Sequence, residues 1–297
     1  MGTRGDALSV LTERQALIGG LVVNYVEGPP NGPPFVVLHG GGARWQYGET
    51  LVRLLAERWH VIAPDLRGHG RSGHVAGRYT LRDYAGDVAA FLQALAPEPA
   101  ILYGHSLGGE VAVMVAAEHP ALVRALIVGD APLTIQDHVT EEPSHRAMNV
   151  RYRALVGRPL GEIEAALTQM PMAVPGEAEP RRAIDILGAD SGWFALQATS
   201  LHLLDRGVLD AVLAGPASML AGYDPHVLLP AITCPVLLLQ ADPAQGGALR
   251  DDEVALARRL NPGIGHVRLA GIGHALHGPG NQAPRVLAAA EPFLAAL

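Results

Sequence analysis

Residues Gly104-His105-Ser106-Leu107-Gly108-Gly109 set a serine inside a glycine-flanked hexad, after the apolar run Ala100-Ile101-Leu102-Tyr103 and before the helix-forming stretch Glu110 to Ala117. The order reads as strand, sharp turn, helix. A nucleophile at such a turn needs a backbone conformation that side chains resist and a close approach of strand to helix, which accounts for glycine at 104 and 108. The Gly-x-Ser-x-Gly spacing alone says little in a chain with 35 glycines. Its flanking elements and the partners found downstream give it meaning.

Around this turn the sequence alternates short apolar runs with helix-like segments, the pattern of a mostly parallel sheet covered on both faces. Gln15 to Ile18 and Leu21 to Val26, separated by Gly19-Gly20, predict a starting hairpin. Further strands are expected at Phe35 to Leu38, His60 to Ala63, Ala100 to Tyr103, Ala125 to Val128, Val236 to Gln240 and His266 to Leu269. Helices are expected at Gly48 to Arg58, Leu81 to Leu95, Leu107 to His119, Asp251 to Leu260 and Ala283 to Leu297. One interval breaks the rhythm: about a hundred residues from Pro132 to Pro230 separate two neighbouring strands, far more than a loop needs. Helical pieces at Glu142 to Val156, Gly161 to Met170, Arg181 to Leu187, Ser191 to Asp205 and Gly207 to Leu213, punctuated by prolines, make it a structured insertion.

A net charge of -7 argues against nucleic acid as a partner. All 22 basic residues are arginine, so lysine Schiff bases and a Walker-type phosphate loop are excluded. Cys234 is the single cysteine, which excludes an intramolecular disulfide and favours a cytoplasmic setting. Met1 to Val10 lacks the pattern of an export signal, and no apolar run is long enough to span a bilayer. The histidines show no metal-ligand spacing, so no metal and no cofactor is expected. Oligomeric state has no signal in the sequence.

A serine needs a base to take its proton, and the base needs a carboxylate to orient it. After the strand His266 to Leu269 comes Gly271-Ile272-Gly273-His274, and His274 is the best base, with His277 as a rival. His105, within the hexad, is expected to point away from the serine. Asp242, at the end of Val236 to Gln240, is the first candidate acid and Asp130 the second, because the triad order for this motif puts the acid on a later strand. Asp251 and Asp252 are explained by the start of a helix. His39-Gly40-Gly41-Gly42 follows another strand, so the Gly41 and Leu107 N–H groups are candidates for an oxyanion hole.

The His39 to Gly42 turn, the segment Asp65-Leu66-Arg67-Gly68-His69-Gly70-Arg71-Ser72, the hexad and Gly273-His274 together resemble the α/β-hydrolase fold superfamily across nearly the whole chain. That resemblance implies an α/β fold: an eight-stranded, mostly parallel sheet with helices on both faces, formed by 1–131 and 231–297, with a helical cap over 132–230. It also implies that Arg67 and His69 are structural. Serine at the turn argues against the branches that resemble one another in attacking with aspartate, the epoxide hydrolases and haloalkane dehalogenases. The expected activity is hydrolysis of a small hydrophobic ester or lactone. Carbon–carbon hydrolysis of a diketone and enol-lactone hydrolysis are alternatives, and a small-ligand receptor is the non-enzymatic one.

Substrate choice falls to the insertion. It holds Met148, Met170, Met172 and Met219 with Trp193 and Phe194, a set suited to an adaptable apolar pocket. Met148, Trp193 and Phe194, with Gly40 and Gly42, are the candidate substrate contacts. Arg151 and Arg153 would instead suit a carboxylate.

Overall fold

The computed structural model describes residues 10–134, 143–177, 179–277 and 282–297. The stretch Met1 to Val10, considered above as a leader, lies outside them apart from Val10. An opening hairpin pairs β1 (Thr12–Ile18) with β2 (Leu21–Glu27), its turn made by Gly19 and Gly20 at φ 58° and 86°. Two successive positive φ values match the twist of the strands, and glycine adopts them without strain. The chain then runs through β3 (Pro34–Leu38), α1 (Glu49–Leu55), β4 (His60–Pro64), α2 (Leu81–Leu95), β5 (Ala100–His105), α3 (Leu107–Glu118) and β6 (Val123–Gly129). An excursion follows: α4 (Pro143–Leu155), α5 (Leu160–Thr168), a short ribbon β7 (Pro171–Met172) and β8 (Arg181–Arg182), α6 (Ala183–Leu187), α7 (Trp193–Leu203), α8 (Arg206–Leu213), α9 (Pro216–Met219) and α10 (Pro225–Ala231). The sheet resumes with β9 (Val236–Ala241), α11 (Asp251–Leu260), β10 (Gly265–Leu269) and α12 (Ala283–Leu294).

Eight strands form one sheet in the order β1-β2-β4-β3-β5-β6-β9-β10. The pairs β1/β2 and β2/β4 are antiparallel and all others parallel. Side chains alternate across it. Val36, Leu38 and Leu102 face one apolar cluster with α2 and α3, while Phe35, Val37, Ile101 and Tyr103 face a second with α1 and α12. The central strands are buried on both faces, which is why they read as continuous apolar runs.

α9 and α10 escaped the sequence reading because each begins at a proline, which is tolerated in a first helical turn yet reads as punctuation. α10 falls within the span expected to be cap, but it packs on α3 and α11 of the core. In the rest of the excursion the helices pack on one another, α5 on α7 and α4 on α8. Its departure point is held by Glu253, a buried carboxylate whose Oε1 accepts the N–H groups of Leu133 and Thr134, both at 2.9 Å.

Candidate active site

Ser106 lies between β5 and α3 with φ 52° and ψ -123°, a conformation that costs a non-glycine residue energy and is kept where function needs it. The close approach around it is severe: a Cβ on Gly104 would lie 2.1 Å from the Gly108 carbonyl oxygen, and one on Gly108 2.6 Å from that of Leu38. Alanine at either position is expected to destabilise the fold by about 3 kcal/mol or more, readable from a urea titration. A loss below about 1 kcal/mol would mean that strand and helix can part without penalty.

The His274 ring bridges two groups. Its Nε2 stands 3.1 Å from Ser106 Oγ and its Nδ1 2.7 Å from Asp130 Oδ2. Asp130 is fully buried, and its oxygens also accept the N–H groups of Ala241, Ala248 and Leu249 at 2.9, 2.8 and 3.1 Å. A carboxylate saturated by donors fixes Nδ1 as the protonated nitrogen of His274, so Nε2 faces the serine as an acceptor. Among the described residues, Ser106 and Asp130 are the non-glycine residues with positive φ, Asp130 at 45°.

The carboxylate that meets His274 is therefore not the one first expected. Asp242 caps a short turn through Ala244 N–H at 3.0 Å and accepts Gly271 N–H at 2.8 Å, and these two bonds hold its carboxyl below the usual range. The Asp242 side chain thus reaches the backbone of the histidine loop instead of the imidazole. Asp130, the second candidate, takes the position on His274. The loop's glycines have distinct reasons: Gly271 has φ 69°, and a Cβ on Gly273 would lie 2.4 Å from the Gln245 carbonyl oxygen.

His105 points away from Ser106. Its Nε2–H donates to the His274 carbonyl oxygen at 2.7 Å, and its ring lies 4.9 Å from the His274 ring. His277, the rival base, lies elsewhere, with its Nε2 2.6 Å from the Tyr103 hydroxyl.

The loop His39 to Gly42 is pinned by two more histidines. Leu66 N–H donates to His39 Nε2 at 3.0 Å and Gly42 N–H to His69 Nε2 at 3.1 Å, while both Nδ1 atoms donate to backbone carbonyls. Gly42 N–H is thus committed to His69 and unavailable to a substrate. Gly41 N–H and Leu107 N–H have no hydrogen-bond partner among the described residues, and a Cβ on Gly41 would lie 3.8 Å from Leu107 Cδ2, so Gly41 packs against the Leu107 side chain. A Cβ on Gly40 would stand 3.3 Å from that of Ser106, so glycine keeps the approach to the serine open.

Burial pushes His39 down to about 4 and His69 to about 3. Both values lie below those of the unfolded chain, so as pH falls the unfolded state takes up protons first and stability declines between about pH 6.5 and 3. Asp65, which burial pushes up, acts in the opposite sense on a single group. The urea midpoint is expected to be lower at pH 5 than at pH 7.5, and an unchanged midpoint would mean that these rings protonate in place.

A cavity of about 500 Å³ lies between the segment 46–53 and the start of α7, with Gln46, Tyr47, Thr50, Ser191, Trp193 and His277 among its walls. A small recess shares Tyr47 and His277 with it and reaches Gly40 and His105, the neighbours of the nucleophile. α7 is tied over the loop, since Gln197 Nε2 donates to the Gly42 carbonyl at 3.3 Å. Of the expected apolar contacts, Trp193 lines this cavity; Phe194 and Met148 do not. Phe194, the next residue round the helix, is 2% exposed inside the core, and Met148 packs on the same core from α4. Met170 and Met219 are likewise buried core residues, and Arg153 pairs with Asp210 between α4 and α8. Sequence reading missed Gln46 and Gln197, since isolated glutamines in helical segments carry no signature.

A mostly parallel sheet that carries a strained serine, a histidine and a buried aspartate just after its strands has the architecture of the nucleophile-elbow class. The family model for the alpha/beta hydrolase fold matches residues 33–163. A protein of Mycobacterium phage D29 named "Putative non-heme haloperoxidase" is 31% identical over 212 residues, 65% of this chain and 74% of that one. The chain belongs to the α/β-hydrolase fold family. The 2-(acetamidomethylene)succinate hydrolase of Mesorhizobium japonicum is 28% identical over 264 residues, 88% of each chain. A solved E-2-(acetamidomethylene)succinate hydrolase superposes with a TM-score of 0.74 at 25% identity, covering 97% of this chain and 100% of that one. Matches to uncharacterized proteins of Mycobacterium bovis and Mycobacterium tuberculosis are 34% identical but span only 39% of those longer chains. No helix among the described residues is long and apolar enough to cross a membrane.

Proposed function

We propose that the protein is a serine hydrolase that cleaves a carboxylic ester or lactone through an acyl-enzyme. The observation that carries this reading is the continuous relay Ser106–His274–Asp130, with spacings of 3.1 and 2.7 Å. Ser106 Oγ attacks the substrate carbonyl as its proton passes to His274 Nε2, and Asp130 stabilises the imidazolium. The N–H groups of Gly41 and Leu107 receive the oxyanion. Collapse expels the alcohol, which takes the proton from His274. Water then repeats the sequence on the acyl-serine, releasing the acid and restoring the hydroxyl.

The pinned Nδ1–H tautomer supports hydrolysis over a receptor role, since a binding scaffold has no need of a base aimed at a strained serine. The polar cavity weighs against the strongly hydrophobic substrate that the cap methionines suggested. A second reading rests on the relatives named for 2-(acetamidomethylene)succinate, alike over nearly their whole length: the same relay would then cleave an N-acyl bond.

Labelling with a fluorophosphonate, followed by peptide mapping, is expected to modify Ser106, and p-nitrophenyl butyrate is expected to be turned over. A panel of simple esters, lactones and 2-(acetamidomethylene)succinate separates the two readings. Neither label nor turnover on any of them would refute both.

A further inference from the structure

His274 needs a fixed main chain as well as a fixed ring, because its Nε2 must meet Ser106 Oγ while its Nδ1 keeps Asp130. The first part of its loop is tied down by Asp242, which accepts Gly271 N–H at 2.8 Å and donates its own N–H to the Ile272 carbonyl at 2.7 Å. From Gly273 to His277, among the described residues, one bond reaches the main chain from outside the loop. It is that of His105 Nε2–H to the His274 carbonyl oxygen at 2.7 Å. The same oxygen accepts Leu276 N–H at 2.8 Å, so both of its lone pairs are engaged and the direction of the peptide is set.

The donor itself is rigid. His105 closes β5 in register with Gly129 of β6, only 6% exposed, so it is built into the two strands that lead to Ser106 and Asp130. Its ring lies against that of His274, centroids 4.9 Å apart and planes inclined by 38°, and the His277 ring meets it edge-on at 5.2 Å. Burial, then the neighbouring His274 and His277, push the His105 ring well below the usual imidazole range, which keeps it neutral with its proton on the donating Nε2. A neutral ring adds no charge repulsion when His274 takes up the serine proton.

We infer that His105 is a positioning residue, whose Nε2–H fixes the His274 peptide and through it the reach of the imidazole to Ser106. The inference rests on the serine-hydrolase reading and deepens it. The rival account is packing alone, since the His105 ring also fills space against Gly40, where a Cβ would lie 3.1 Å from its Nδ1. Two substitutions separate them. His105→Phe keeps the ring volume and removes the N–H, whereas His105→Gln keeps a donor at similar reach and gives up the ring.

His105→Phe is expected to lower kcat and kcat/KM on p-nitrophenyl butyrate together by about 10²-fold with KM unchanged, the scale of a misplacement of about 1 Å. His105→Gln is expected to recover at least about tenfold of that loss. In a His274→Ala background, where no imidazole is left to aim, adding His105→Phe should change the residual kcat by less than about twofold. Full activity of His105→Phe, equal damage in both variants, or a second loss of the same size in the His274→Ala background each overturns the assignment. Where His105→Phe sharply lowers the urea midpoint, His105→Leu, with the same N–H gone and less bulk, carries the same expectations, and unfolding of both would leave packing as the role of this side chain. A parent protein with neither fluorophosphonate label nor turnover would instead overturn the underlying hydrolase reading.

Discussion

Ser106→Ala is expected to lower kcat on p-nitrophenyl butyrate by about 10⁶-fold while leaving the urea midpoint within reach of the parent's. Nothing else near the site can replace the hydroxyl, because the strained turn projects this one side chain toward His274 Nε2 at 3.1 Å. Residual activity of about 10³-fold over water is expected from the two N–H groups and from binding. A methyl group in place of the hydroxymethyl relieves no backbone strain, since alanine resists φ 52° as serine does, so stability should change little. Full turnover in this variant would remove the covalent mechanism altogether.

Asp130→Asn is expected to lower kcat by about 10⁴-fold. The asparagine oxygen can still accept the Ala241 and Leu249 N–H groups, but its amide nitrogen then confronts two donors, Ala248 N–H and His274 Nδ1–H. The imidazole escapes by moving its proton to Nε2, where it can no longer accept from Ser106. Asp242→Asn should cost less than about tenfold, because a carboxamide oxygen still accepts Gly271 N–H and no imidazole is involved. The comparison of kcat between these two variants decides the assignment. A crippled Asp242→Asn beside an active Asp130→Asn would return the acid to the later strand.

Much of the sheet was readable because its central strands, buried on both faces, open on apolar runs such as Ala100-Ile101-Leu102-Tyr103 and Val236-Leu237-Leu238-Leu239, and because helices such as Leu81–Leu95 carry their own capping box. The elbow was legible for the same reason: crowding of backbone on backbone leaves glycine at 104 and 108. The acid was harder. Asp130 and Asp242 both follow a strand, and the difference between them is one of direction: Asp130, at positive φ, turns to His274, while Asp242 turns to the Gly271 N–H. Neither leaves a one-dimensional trace that outweighs the order rule. The cap misled in a similar way, since a methionine in a helix reads the same whether it packs inward, as Met170 and Met219 do, or lines a ligand space.

The grip of Glu253 on Leu133 and Thr134 has a practical meaning for anyone who wishes to rebuild this scaffold. Chimeras that exchange the lid of one such catalyst for another should be spliced downstream of Thr134. A graft point there leaves the stem, and with it the backbone that aims Asp130, under the control of the recipient's own helix α11.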